Sequence, residues 1–144
     1  QFNDLVNPMS LMIYMGAIAE GGKAAVPQLV LKTVTPLGFP SSFYFSHSTG
    51  KLIEADTTAT LADMMARNVT ETYGAGRFPN MDICAKSGTA EVGGGKAPNS
   101  WFTGFLRNED APYAFAVVVE EGGSGAQTAG SIAAAVLDIL VNGY

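Results

Sequence analysis

The sequence predicts an α+β fold, an antiparallel sheet flanked by helices, and three observations predict it. Its apolar patterning runs helix, strand, loop, helix, three strands, helix, an order that lays helices against the faces of a sheet. The last two strand segments are joined by the short polar stretch Arg107 to Pro112, which favours antiparallel pairing. With 144 residues, 47% hydrophobic and 15% charged, the chain has the length and composition of one domain with its own core.

Asn7-Pro8 is a helix start, with Asn as N-cap and Pro at the first helical position. Met9, Met12, Ile13, Gly16 and Ala17 follow at helical spacing, and Gly21-Gly22 stops the helix. Pro27 opens an edge strand over Gln28 to Val34. Pro36, Gly38, Pro40, paired serines and Thr49-Gly50 make 35 to 57 a loop or loose hairpin. A second helix fits Thr60 to about Tyr73, with Leu61, Met64, Met65 and Val69 as its stripe. Thr58 or Thr60 caps it, and Gly74-Ala75-Gly76 ends it. Met81 to Lys86, Ser100 to Leu106 and Tyr113 to Glu120 read as three strands. After Gly122-Gly123-Ser124-Gly125, a final helix carries Ile132, Ala135, Val136, Ile139 and Leu140 as its apolar stripe.

Charge and composition exclude several classes. Eight basic against thirteen acidic side chains give a net charge of −5, without the basic surface a nucleic-acid partner requires. One cysteine, Cys84, and one histidine, His47, leave no disulfide framework and no ordinary zinc site. No segment approaches the ~20 apolar residues that span a bilayer. The opening Gln1-Phe2-Asn3 carries no helix or strand signal, and the chain reads as a piece of something longer.

The chemistry concentrates in Lys86-Ser87-Gly88-Thr89, at the end of a strand. Ala90-Glu91, the run Gly93-Gly94-Gly95 and then Ser100-Trp101-Phe102-Thr103-Gly104-Phe105 follow. Lys-Ser-Gly-Thr resembles the third signature of the penicillin-recognising serine enzymes. With Trp-Phe-x-Gly-Phe behind it, the chain resembles the transpeptidase domain of high-molecular-mass penicillin-binding proteins more closely than a β-lactamase. The opening is similar to the helix and strand upstream of that signature, from Asn7-Pro8-Met9 through Ala19-Glu20-Gly21-Gly22-Lys23 to Pro27-Gln28-Leu29-Val30. The likeness covers nearly the whole chain. It implies the C-terminal portion of the serine β-lactamase/D,D-transpeptidase fold over residues 1 to 144.

The resemblance also implies roles. Lys86 supplies the positive charge that draws a substrate carboxylate, a pair that gains about 4 kcal/mol at ~4 Å and an effective dielectric near 20, before desolvation. The Ser87 and Thr89 hydroxyls donate to the same carboxylate, and the Thr89 backbone N–H is one oxyanion donor. Gly88 keeps a side chain out of either the ligand's approach or the packing behind the strand. Strand alternation puts 87 and 89 on one face and 86 and 88 on the other. Lys86 therefore reaches the catalytic groups from its own side or through a local twist.

Two further signatures of the family are missing. No Ser or Tyr is followed two residues later by Asn, and the one Ser-x-x-Lys match, Ser48-Thr49-Gly50-Lys51, lies in a glycine-containing loop. The nucleophile and second signature are expected upstream of this chain. His47 reads as a solvated loop residue, Cys84 as a small apolar filler, Glu91 as an exposed strand-end charge, and Trp101 and Phe102 as core. Gly93 to Lys96 fails as a phosphate loop because Ala97 stands where Ser or Thr is required.

The resemblance implies a peptidoglycan D,D-transpeptidase, a serine acyltransferase acylated by β-lactams, with no cofactor and no metal. Its partners are stem peptides, β-lactams, the remainder of the domain and other cell-wall assembly proteins. Its place is the extracytoplasmic face of the bacterial cytoplasmic membrane, anchored by a segment outside this chain. Two alternatives stand beside it: a β-lactamase or β-lactam sensor of the same fold, and a non-catalytic domain that kept the scaffold for binding or assembly.

Overall fold

The computed structural model describes residues 5–143; the opening Gln1-Phe2-Asn3 lies outside them. Helix α1 spans Pro8–Ala19, and the Asn7 side chain accepts a 2.8 Å hydrogen bond from the Met9 N–H, the expected N-cap. Its buried residues are Met15, Ala17 and Ile18. The stripe read from Met9 is therefore rotated, and Met9 itself is half exposed. The helix is apolar around most of its circumference, so spacing alone could not pick the buried face.

Strand β1 is only Lys32–Val34, paired antiparallel with β2, Pro40–Phe43. The edge strand expected from Gln28 thus begins four residues late. The Gln28 side chain donates to the Val30 carbonyl at 2.8 Å, a local bond that competes with strand pairing. Of the loop or loose hairpin expected over 35 to 57, β2 pairs with a strand that lies before that span, and 55 to 57 belong to the next helix.

Helix α2 runs Ala55–Asn68 and continues as a wider π-helical turn, Val69–Tyr73, closed by a 2.9 Å bond from Gly74 N–H to Val69 O. It starts before the expected Thr60, and neither threonine caps it. Thr58 donates to Ala55 O at 2.7 Å and Thr60 to Asp56 O at 3.0 Å, both back into the helix. Leu61 and Met65 pack inward as expected, while Met64 is exposed.

Strands β3 (Ile83–Ala90), β4 (Asn99–Leu106) and β5 (Ala114–Val119) form one antiparallel sheet in that order. β3 continues through the Lys86–Thr89 motif, which therefore lies within a strand and not at its end. Arg107 clamps the sheet at its base: its guanidinium donates to both Asp82 carboxylate oxygens, at 2.8 and 3.1 Å.

The sheet has a core on each face. On one, Ile83, Ala85, Phe102 and Leu106 meet Ala129, Ala133 and Leu137 of α3, which spans Thr128–Asn142. Phe102 is fully buried and stacks with Phe78 at 6.0 Å and Phe115 at 6.1 Å between ring centroids. On the other face Cys84 and Phe105 meet Met15 and Ile18 of α1. Cys84 is the filler expected; burial pushes its thiol up to about 11.

The stripe expected on α3 is its outer face: Ile132, Val136, Ile139 and Leu140 are exposed. The sheet takes the small residues instead, because Gly130, Ala129 and Ala133 let the helix axis approach Phe102. Ser100, fully buried, ties this helix to β4 by accepting from Ala129 N–H at 3.0 Å and donating to Ser124 O at 2.9 Å.

Gly104 of β4 packs directly against the backbone of β3. A Cβ there would overlap the Cys84 carbonyl oxygen and lie 2.9 Å from Ala85 Cα, both backbone atoms that cannot rotate away. Gly104→Ala should therefore destabilise the protein by about 3 kcal/mol. A urea midpoint close to that of the wild type would show that the sheet yields more easily than its packing indicates.

Candidate active site

β3 pairs with β4 on one side, and its other edge is where the motif residues present their backbone. The Ser87 N–H on that edge donates to the Tyr73 hydroxyl at 2.7 Å, and the Asn68 side-chain amide donates to Ala85 O at 3.1 Å. With a two-residue period, the Thr89 N–H and carbonyl face the same edge, beyond the reach of β4. The end of α2 and its π turn thus cover the edge at 85 and 87, one step before Thr89.

Lys86 rises from the α1 face of the sheet. Its ammonium bends over the edge to donate to Ser87 O at 2.9 Å. Lys86 thus reaches the strand edge from its own face of the sheet. The side chain is exposed and takes part in no ion pair among the described residues, so its charge is available to an anion. The Ser87 hydroxyl accepts from Tyr73 at 2.9 Å, and the Thr89 hydroxyl accepts from Gly125 N–H at 3.2 Å. Each keeps its own proton for donation.

Gly88 has Trp101 directly across on β4. A Cβ at 88 would lie 3.2 Å from Trp101 Cβ, a tight contact that the tryptophan would have to yield to by a few tenths of an ångström. Trp101 is not core, as expected from the sequence, but half buried. It lines a cavity of about 570 Å³ with Leu11, Lys86, Thr89, Glu91 and Thr103. Glu91 keeps its exposed position and also borders this cleft. Phe102, one residue on and facing the other side, is core.

Burial works to raise the Tyr73 phenol. The phenol's hydrogen bonds with the Ser87 side chain, with Asn68 and with the Ser87 N–H, together with the Lys86 charge, outweigh it and hold the phenol below its usual 10.0. Tyr73 and Asn68 went unnoticed in the sequence, since both reach β3 from across a turn. The signal was the aromatic at the end of a helix directly before Gly74.

The other sequence candidates lie elsewhere. His47 and Ser48 border a separate cavity of about 710 Å³ with Glu20, Lys23 and Tyr113, which shares no residue with the cleft. Lys51 is paired with Glu54 and makes no hydrogen bond to Ser48. Among the described residues, no three His, Cys, Asp or Glu side chains converge as metal ligands.

At Thr89 the uncovered strand edge thus stands beside an ammonium free of ion pairs and two hydroxyls that keep their protons. The chain belongs to the penicillin binding protein transpeptidase domain family, whose model matches residues 2–140. Its relatives are similarly placed. It is similar to the peptidoglycan D,D-transpeptidase PbpA of Mycolicibacterium smegmatis, 29% identical over 135 residues that cover 91% of this chain and 28% of that protein. The penicillin-binding protein A of M. tuberculosis, as its ceftriaxone acyl-enzyme, superposes with a TM-score of 0.84 at 27% identity, covering 98% of this chain and 34% of that one. The D,D-transpeptidase domain of a peptidoglycan glycosyltransferase from Eggerthella lenta superposes at 0.75 with 26% identity, covering 92% and 31%. The chain thus spans about a third of the length of the relatives it matches.

Proposed function

We propose that the protein is a peptidoglycan D,D-transpeptidase, acylated by β-lactams, and that residues 1 to 144 form the C-terminal portion of its transpeptidase domain. The observation that carries this reading is the edge of β3 left uncovered from Thr89 onward, with an ammonium free of ion pairs beside it. Lys86 attracts the carboxylate of the acyl donor, and the Ser87 and Thr89 hydroxyls donate to it. Gly88 lets the strand pack closely against Trp101, and a ligand adds to the edge beyond it as another strand. The Thr89 N–H stabilises the negative charge that develops on the attacked carbonyl oxygen; a donor of this kind is worth roughly 3–4 kcal/mol of transition-state stabilisation.

A serine from outside this chain attacks the D-Ala–D-Ala carbonyl, D-Ala departs, and an amine of a neighbouring stem peptide resolves the acyl-enzyme. The work lies at the extracytoplasmic face of the membrane, beside other cell-wall assembly proteins. No helix among the described residues is long and apolar enough to cross a membrane.

Incubating the full-length protein with penicillin and reading its intact mass tests this proposal. One stable adduct is expected, along with D-Ala release from a stem pentapeptide that depends on an amine acceptor. Neither adduct nor release would overturn the reading. An adduct hydrolysed within seconds would mark a β-lactamase instead.

A further inference from the structure

The hydrogen bonds around Ser87 do more than fill an edge. A phenol hydroxyl has one proton and room to accept. At Tyr73 the phenol accepts from the Ser87 N–H at 2.7 Å and donates its own proton to Ser87 Oγ at 2.9 Å. Oγ is therefore an acceptor in that contact. The Ser87 hydroxyl proton has no partner among the described residues, and the remaining space lies toward the cleft.

The phenol is itself held firmly. Its ring meets buried Phe102 edge-on, with centroids 5.2 Å apart. Its place on the chain is set by the π turn, which closes on buried Val69. In an α-helix each residue advances about 100° around the axis, so a turn one residue shorter would swing the phenol away from β3. Beside it, Asn68 is fixed by its bond to Ala85 O and by accepting from Thr72 at 3.1 Å. Widened helical turns of this kind recur at functional sites.

We propose that Tyr73 is a positioning residue for the carboxylate subsite: by accepting from the Ser87 N–H and donating to Ser87 Oγ, it aims the serine proton into the cleft. This role rests on the transpeptidase reading. Tyr73 touches no reacting atom; it fixes which way Ser87 donates. It also closes the strand edge at 87, so that an extended ligand pairs from Thr89 onward.

Tyr73→Phe, Ser87→Ala and the double variant, each in the full-length protein, test it. The phenylalanine keeps the ring on Phe102 and removes only the hydroxyl. Acylation by penicillin G should slow about tenfold in Tyr73→Phe, the scale of one hydrogen bond to a charged group. Acylation by penicillin G methyl ester, which lacks the carboxylate, should stay within about twofold, because a misaimed donor matters only to an anion. The double variant should be no slower than Ser87→Ala alone.

Equal losses on acid and ester, independent effects in the double variant, or no loss on penicillin G would each overturn the role. All three leave the transpeptidase reading standing. A wild-type protein acylated by neither compound defeats that reading and this role together. Amide hydrogen exchange separates the causes: in Tyr73→Phe the Ser87 N–H should exchange about tenfold faster or more. Unchanged exchange would show that the phenol does not hold the strand edge at all.

Discussion

Lys86→Ala in the full-length protein is expected to lower the second-order rate of acylation by penicillin about a hundredfold and to leave the fold intact. The charge term gives the scale. An ammonium about 4 Å from a carboxylate gains about 4 kcal/mol at an effective dielectric near 20. Because Lys86 is exposed, solvent screening and the desolvation of both ions remove part of that. About 3 kcal/mol then remains, and each 1.36 kcal/mol is a factor of ten in rate. Stability should hardly change, since the side chain lies outside both core clusters and its one hydrogen bond is to an edge carbonyl. Surface changes of this kind usually stay within about 0.5 kcal/mol. Stopped-flow acylation and a thermal melt decide the matter together. A near-wild-type rate would remove Lys86 from the site, and a large drop in melting temperature would reassign it to structure. Because the interaction is between charges, the wild-type advantage should also shrink as salt rises.

Local chemistry was readable in the sequence wherever one segment determined its own structure. The Asn7-Pro8 start of α1 needs only a side-chain oxygen two residues from its N–H. The β4–β5 pairing follows from a connection too short for anything but a hairpin. The Lys86–Thr89 motif was legible as a unit because all four residues sit on one strand.

Features that depend on two distant segments were not legible. The buried side of α3 is chosen by Phe102, which demands small neighbours, and not by the bulkier residues that dominate its periodicity. Trp101 and Phe102 look alike as adjacent aromatics, yet strand alternation sends one to the cleft and the other to the core. Ser100 looks like an ordinary strand serine until α3 arrives to donate the Ala129 N–H to it. Tyr73 reads as the last residue of a helix, and only the widened turn aims it at Ser87. In each instance the deciding partner lies on another element.

Residues 1 to 144 alone, incubated with penicillin, should gain no mass. The oxyanion donor and the carboxylate subsite bind and stabilise, but an oxyanion exists only after a nucleophile has attacked. Among the serines, Ser87 lies at the edge of β3 with no carboxylate or free imidazole bonded to it, its only side-chain partner being the phenol that donates to it. Ser100 is sealed beneath α3. Ser48 is the one serine with the family's lysine spacing, and its surroundings disqualify it. It lies in the single bridge between 25 and 48, next to the cavity that shares nothing with the β3 cleft. Its would-be base, Lys51, is half exposed and turned to Glu54, outside the hydrogen-bond reach of Ser48 that a general base needs. Electrospray mass spectrometry on the folded chain, its tryptophan signal confirming that β4 is intact, reads the outcome directly. An added penicilloyl mass that vanishes in Ser48→Ala would make that loop the nucleophile and move the active site away from β3. An added mass that survives Ser48→Ala and vanishes in Ser87→Ala would turn the carboxylate-binding serine into the attacking one.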